Sequence, residues 1–298
     1  MMEGKRTPTD EELCVILAGL GLPGLDEAAL EQFRDAEDGN PYEVWLVRSD
    51  RGNFVLKRAK ALEAEVYRCF FSGKKSYAPA LLASVRQEDG DYLLLEYCPG
   101  EDLRHADRPR LIKALEALAL MQNEFWQREE LYDAGCTMER ALEGIERRRQ
   151  YLGSAKLESV CSAFVELYRQ TPRTLCHDDL LPLNVLVGER AVLIDWEYGG
   201  VLPYLSSFAR LIAHGRKEEG AFFFLSRADR DFAIEYYFSL VPEKHGIAYA
   251  DYRRALDYFL FYEYCEWIML GNRFDSRDDE RYISSLKLAE ETAERLQC

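Results

Sequence analysis

Apolar residues recur at helical spacing through most of the chain beyond residue 100, and that rhythm stops once, between Thr174 and Gly200. The interruption holds a loop and two short β-like runs, residues 185–187 (VLV) and 192–194 (VLI), so a plain helical bundle is excluded. The first hundred residues have the opposite texture. Residues 42–48 (YEVWLVR) and 54–58 (FVLKR) flank the polar turn Ser49-Asp50-Arg51-Gly52-Asn53 and predict a hairpin. Residues 59–71 lack Gly and Pro and set Leu62, Val66, Cys69 and Phe70 at helical spacing. Residues 80–86 and 92–97 read as two more strands around the turn Glu88-Asp89-Gly90-Asp91. The order strand, strand, helix, strand, strand ends at the breaker pair Pro99-Gly100. Beyond it, helices are predicted over 109–127, 138–152, 156–170, 204–214, 227–240, 249–270 and 278–296. The expectation is an α+β fold of two lobes with a ligand cleft between them: a β-rich lobe over 1–98, opening with a short helix capped by Thr9 and Glu12, and a helical lobe over 99–298.

Charge narrows the partners. The 298 residues carry a formal charge of −15, which repels phosphate backbones and anionic lipid. Neither nucleic acid nor a membrane is expected, whereas a cationic small molecule would be tolerated. The 8 cysteines are scattered without a C-x-x-C pair, which reads as reduced thiols in a cytoplasmic protein. No run approaches the length of a membrane span. The apolar stretch 14–22 follows Asp10-Glu11-Glu12, the wrong charge for a signal peptide.

The interruption also holds the residues with chemistry: His177-Asp178-Asp179-Leu180-Leu181-Pro182-Leu183-Asn184, then Ile194-Asp195-Trp196-Glu197-Tyr198. Phosphoryl transfer needs a carboxylate to orient an attacking hydroxyl and oxygen ligands to hold Mg²⁺ against nucleotide phosphates. The pattern H-x-D-x-x-x-x-N supplies the carboxylate and an amide oxygen, and an Asp ending an apolar run supplies a second ligand. Asp179 stands four residues clear of Asn184, as that pattern requires, and is the expected catalytic residue; Asp178 falls at the variable position. A lone Asp commonly caps a turn, but capping does not account for His, Asp, Pro, Asn and a strand-terminal Asp arriving in this order.

The small lobe fits the same picture. Lys57, within 54–58, is placed to hold nucleotide phosphates, with Glu63 preferred over Glu65 as its partner on the following helix. The backbone at Glu96 and Cys98, ahead of Pro99, is suited to an adenine edge, although a plain buried strand explains that segment equally well. Asp38-Gly39-Asn40-Pro41 holds one glycine and is a poor phosphate loop.

H177-D-D-L-L-P-L-N, I194-D-W-E-Y and L95-E-Y-C-P-G-E-D-L together resemble the aminoglycoside phosphotransferase and choline kinase superfamily, over roughly residues 33–214. The I-D-W-E-Y segment looks particularly like that of bacterial choline kinases. The resemblance implies a protein-kinase-like fold, ATP or GTP with Mg²⁺ as cofactors, and a small hydroxylated acceptor. It further implies Asp179 as catalytic base, Asn184 and Asp195 as magnesium ligands and Lys57 as phosphate ligand. The chain departs from the family where Asp178 replaces Gly or Asn, Leu181 replaces His, Ser207 replaces Asp, and Gln122 stands where a Leu-His pair often closes the first large-lobe helix.

A protein kinase is disfavoured because D-W-E replaces D-F-G and no A-P-E follows Asp195. A catalytically weak kinase-fold binding protein is the alternative, suggested by the single-glycine loop and Ser207. For residues 252–270, crowded with aromatics and carboxylates, two readings stand. One is a core helix with an acidic edge; the other is a wall of the acceptor pocket, with Glu263, Glu266 and Trp267 near one face and suited to a cationic amine.

Overall fold

The structure, a computed structural model, describes residues 8–25, 27–35, 39–218 and 221–297. Its first helix, α1 (Asp10–Gly19), opens with the expected capping box between Thr9 and Glu12. Five strands follow: β1 (Ala29–Arg34), β2 (Pro41–Ser49), β3 (Gly52–Arg58), then, after helix α2 (Glu63–Phe70), β4 (Leu81–Gln87) and β5 (Gly90–Glu96). They form one antiparallel sheet in the order β1-β2-β3-β5-β4. Strand β1 is an addition to the sequence reading. Its sequence, ALEQFR, lacks β-branched residues, and it is held at the edge by its ladder to β2 rather than by propensity. Gly39 and Asn40 lie in the β1–β2 connection, where Asp35 N–H bonds Asn40 O at 2.8 Å; Asp38 lies outside the described residues.

Alternation along the strands divides the lobe. Trp45, Val47, Leu56, Tyr92 and Leu94 turn to one face and pack against Leu13, Ile16 and Leu17 of α1. Lys57 and Leu93, paired across β3 and β5, turn to the other face, where α2 lies. Helix α2 joins the main core through Val66, Tyr67, Phe70 and Phe71, so the large lobe's core continues into the small lobe.

The chain then passes Pro99-Gly100 into β6 (Glu101–Asp102) and the helices α3 (Arg108–Glu124), α4 (Met138–Arg149) and α5 (Ala155–Gln170). The interruption reads as β7 (Arg173–Cys176), β8 (Val185–Val187), β9 (Ala191–Leu193) and β10 (Gly200–Pro203). Strand β7 pairs with β10, and β8 lies between β6 and β9, which fastens the hinge to the loop carrying Asn184. Four helices close the lobe: α6 (Leu205–Ala213), α7 (Arg227–Leu240), α8 (Tyr249–Phe274) and α9 (Glu280–Gln297). Cys14, Cys69, Cys98, Cys136, Cys161, Cys176 and Cys265 are free thiols, and Cys298 lies outside the described residues. Among the described residues no helix is long and apolar enough to cross a membrane.

One crossing leaves no room for a side chain. Cys136 N–H bonds Gly199 O at 2.8 Å, and a Cβ on Gly200 would stand 2.1 Å from Cys136 O. Both partners are backbone, so neither can swing away. Gly200→Ala is expected to cost about 1–3 kcal/mol through forced backbone shifts. At about 2–4 °C per kcal/mol for a chain approaching this size, a Tm lower by several degrees is the expected result. Calorimetry showing an unchanged Tm would contradict this packing.

Candidate active site

Strand parity sends Lys57 away from α1 and into the space between the lobes, where its charge meets two carboxylates. Its Nζ lies 2.7 Å from Glu63 Oε1 in the first turn of α2 and 2.5 Å from Asp195 Oδ1. Burial by itself would lower the Lys57 pKa, but Glu63 and then Asp195 outweigh it and hold the ammonium above its ordinary value. Burial likewise opposes ionisation of Asp195, yet Lys57 holds that carboxyl below its ordinary value. Glu63 is fully enclosed, whereas the Asp195 side chain keeps 31% exposure and faces the cleft. Glu65, the other candidate partner, instead accepts the Gly135 N–H at 2.9 Å. Trp196 is buried against Phe71 of the α2 end, and its N–H reaches Glu63 Oε1 at 3.3 Å.

The catalytic loop is braced from three directions. His177 N–H donates to Ser207 Oγ at 2.8 Å, and His177 Nε2 lies 2.6 Å from Ile194 O. A carbonyl can only accept, so Nε2 carries the proton; burial lowers the ring's pKa and keeps it neutral. Asn184 Nδ2 donates to Asp179 O at 2.7 Å, while Asn184 O accepts the Ile194 N–H at 2.9 Å. The residue before Asp195 is thus tied to both ends of the loop. Asp178 and Asp195 adopt left-handed backbone at φ 59° and 67°, where Asp and Asn are tolerated better than most residues. Asp178 therefore occupies a conformation that suits the Gly or Asn of related sequences.

The donor set fits magnesium. Asn184 commits its nitrogen to Asp179 and keeps its amide oxygen, and Asp195 commits Oδ1 to Lys57 and keeps Oδ2. Two hard oxygens suit an ion that fills its remaining positions with water and phosphate. No group of three or more His, Cys, Asp and Glu among the described residues could hold a metal unaided.

At the hinge, Glu96 N–H bonds Ala80 O at 2.9 Å, and the Glu96 carboxylate takes Arg190 at 2.8 Å and Lys74 at 3.3 Å. The Glu96 carbonyl receives a long Cys98 Sγ contact at 3.8 Å.

On the far side of Asp179 the structure supplies residues that the sequence reading missed. Arg210 of α6 donates to Asp179 Oδ1 from Nε (3.2 Å) and Nη2 (2.9 Å), and from Nη1 to Glu263 Oε2 (2.9 Å) and Glu266 Oε2 (2.5 Å). Arg148 of α4 lies 3.1 Å from Glu266 Oε1 and donates to Tyr262 at 2.7 Å. Glu263 also meets His214 Nε2 at 3.3 Å, and Trp267 donates to His214 Nδ1 at 3.2 Å. Trp267 carries Arg281 over its ring at 4.7 Å. Helix α8 is largely buried, and its Glu263 and Glu266 reach Asp179 through Arg210. Asp178 has neither an ion pair nor a hydrogen bond among the described residues. Burial first, then Glu266 and Glu263, push its pKa up to about 8, against Arg148 and Arg210. Arg210 stands one helical turn after Ser207, which was the available signal that it shares that residue's face.

Comparison with solved structures supports this architecture. A choline/ethanolamine kinase family protein from Mesorhizobium loti superposes with a TM-score of 0.55 at 18% identity, covering 96% of this chain and 93% of that one. An aminoglycoside phosphotransferase from Alicyclobacillus acidocaldarius gives 0.55 at 14%, covering 92% and 91%. One from Streptomyces rimosus, in complex with ADP and streptomycin, gives 0.52 at 17%, covering 85% and 99%. At these identities the likeness concerns the fold. Two LicA proteins of Haemophilus influenzae are 27% identical over 144 residues, 46% of this chain. The match spans 51% and 40% of their lengths, about half or less of those relatives. A family model matches residues 33–241, which include both catalytic segments and Arg210, and on that match the chain belongs to the phosphotransferase enzyme family, APH.

Proposed function

We propose that the protein transfers the γ-phosphoryl group of ATP or GTP to a hydroxyl of a small cationic molecule, an amino alcohol such as choline or an aminoglycoside-like antibiotic, in the cytoplasm. The observation that carries this reading is the buried Lys57, clamped between Glu63 and Asp195, beside a loop that presents Asp179 and Asn184. In that reading Lys57 anchors the nucleotide phosphates and Glu63 aims it. The backbone at Glu96 and Cys98 receives the base. Asn184 and Asp195 hold Mg²⁺, which supplies charge neutralisation at the phosphates. Asp179 takes the acceptor hydroxyl's proton.

The charge balance supports a cationic acceptor. Asp179, Glu263 and Glu266 set three carboxylates against Arg148 and Arg210, and Asp178, with its pKa at about 8, would give up its proton beside an arriving ammonium. Because the arginines already engage Glu263 and Glu266, Asp178, which has no ion pair or hydrogen bond among the described residues, is the group best placed to meet an incoming ammonium. The family name of the choline/ethanolamine kinase family protein and the streptomycin of the Streptomyces rimosus complex agree with this class.

The roles separate by variant. Asp179→Asn should cut turnover by about 10²–10⁴, the range for a positioned general base, and leave nucleotide affinity nearly intact. Asp195→Asn should abolish turnover and weaken Mg-nucleotide more than metal-free nucleotide binding, read by calorimetry. Equal weakening of both would remove Asp195 from the metal site.

An ammonium lodged in such a site gains up to about 2 kcal/mol from an aromatic face, and about 1.4 kcal/mol is tenfold in affinity. Choline or ethanolamine should therefore exceed a neutral isostere by tenfold or more in kcat/KM. A neutral sugar as best acceptor would end the cationic reading and leave the phosphotransferase reading standing.

Asp178 also leaves a stability signature. Its carboxyl pKa is raised on folding, so the folded state holds a proton that the unfolded chain has released, and stability falls as pH rises from about 4 to about 8. Asp178→Asn removes that loss. Its Tm should match wild type near pH 4 and exceed it increasingly up to pH 8; a pH-independent difference would contradict the raised pKa.

A further inference from the structure

We infer that Arg210 is a positioning residue that assigns the two oxygens of Asp179 different tasks, and that Glu263 and Glu266 act by holding Arg210. The inference rests on the phosphotransferase reading above and concerns how its base is aimed.

Both short contacts from Arg210 to Asp179 go to the same oxygen, Oδ1, through Nε and Nη2. Two donors on one oxygen fix the carboxylate plane and leave Oδ2 without a hydrogen-bond partner among the described residues. The third nitrogen, Nη1, is held by Glu263 Oε2 and Glu266 Oε2, so the guanidinium cannot turn about its own axis. A fork with donors on two edges is what this task needs, and a lysine offers no such geometry. Further along the chain, Arg148 and His214 hold Glu266 and Glu263 in turn.

In the transfer, the acceptor hydroxyl oxygen forms the new bond to the γ-phosphorus as its O–H proton passes to Asp179 Oδ2. The bond between the γ-phosphorus and the β–γ bridging oxygen breaks, and the nucleoside diphosphate leaves with the electron pair. Arg210 touches none of these atoms. It acts by keeping Oδ2 aimed at the hydroxyl, and a misplacement of about 1 Å in such a group costs about 10²-fold.

A double-variant cycle with choline, ethanolamine and water as acceptors tests this by ADP formation from Mg-ATP. Arg210→Ala should lower kcat by about 10²-fold while the Mg-ATP dissociation constant stays within about twofold. In the Asp179→Asn background the same substitution should cost almost nothing further in kcat, because the group it aims is gone. Arg210→Lys keeps a positive charge among Asp179, Glu263 and Glu266, which protects the fold, and should still lose turnover. Losses that multiply across the two sites, or a fall in kcat matched by nucleotide affinity and Tm, would overturn the assignment and make Arg210 a structural brace. Wild-type protein that forms no ADP with these acceptors, with an aminoglycoside or with a neutral sugar would instead overturn the phosphotransferase reading itself, and the inference with it.

Discussion

One buried ammonium holds the two lobes in register. Lys57 comes from the small-lobe sheet, Glu63 from α2 and Asp195 from the end of a large-lobe strand. Removing one member of such a cluster leaves an uncompensated buried charge, which costs about 3–5 kcal/mol. The geometry is therefore maintained by the penalty of losing it. Two carboxylates on one ammonium leave a surplus negative charge. It falls on Asp195, the member with access to the cleft, where a divalent cation and phosphates belong in the proposed reaction.

Around that cluster, residues that depart from related sequences have defined work. Ser207 offers its hydroxyl to the His177 N–H, so the loop keeps a side-chain acceptor from α6 without a buried charge. Gln122 spans the base of the loop: its nitrogen donates to Tyr204 O at 2.7 Å, its side-chain oxygen accepts from Tyr237 at 2.5 Å, and its carbonyl accepts from Thr174 at 2.6 Å. A neutral hydrogen-bonding residue thus ties α3 to β7, α6 and α7. Trp196, in the place of the D-F-G phenylalanine, packs between Phe71 at the end of α2 and His177 and links the loop carrying Asp179 to the lysine's partner.

Much of this was legible in the chain. Helices α2 to α9 carry long apolar periodicities, and α7 begins and ends where the pattern does. Lys57 and Glu63 were identifiable because a lysine in an apolar strand before a helix has few inexpensive partners. What escaped was whatever depends on neighbours distant in sequence. Strand β1 has a mostly polar, exposed pattern and exists by pairing with β2. Spacing along α8 left open whether its carboxylates edge a core helix or line an acceptor pocket, and the fold brings Arg210 and Arg148 onto them from two other helices.

Sequence alone determined the hairpin, helix and hairpin of the small lobe, the run of helices beyond residue 100 and the identity of the loop residues, because periodicity, turn chemistry and motif spacing are local properties. Tertiary structure alone decided which carboxylates are free. Asp179, Glu263 and Glu266 are partnered by an arginine 31, 53 and 56 positions away, and among the described residues Asp178 has no such ion pair. Ionic partnership depends on distance in space and on desolvation, and neither quantity is written along the chain.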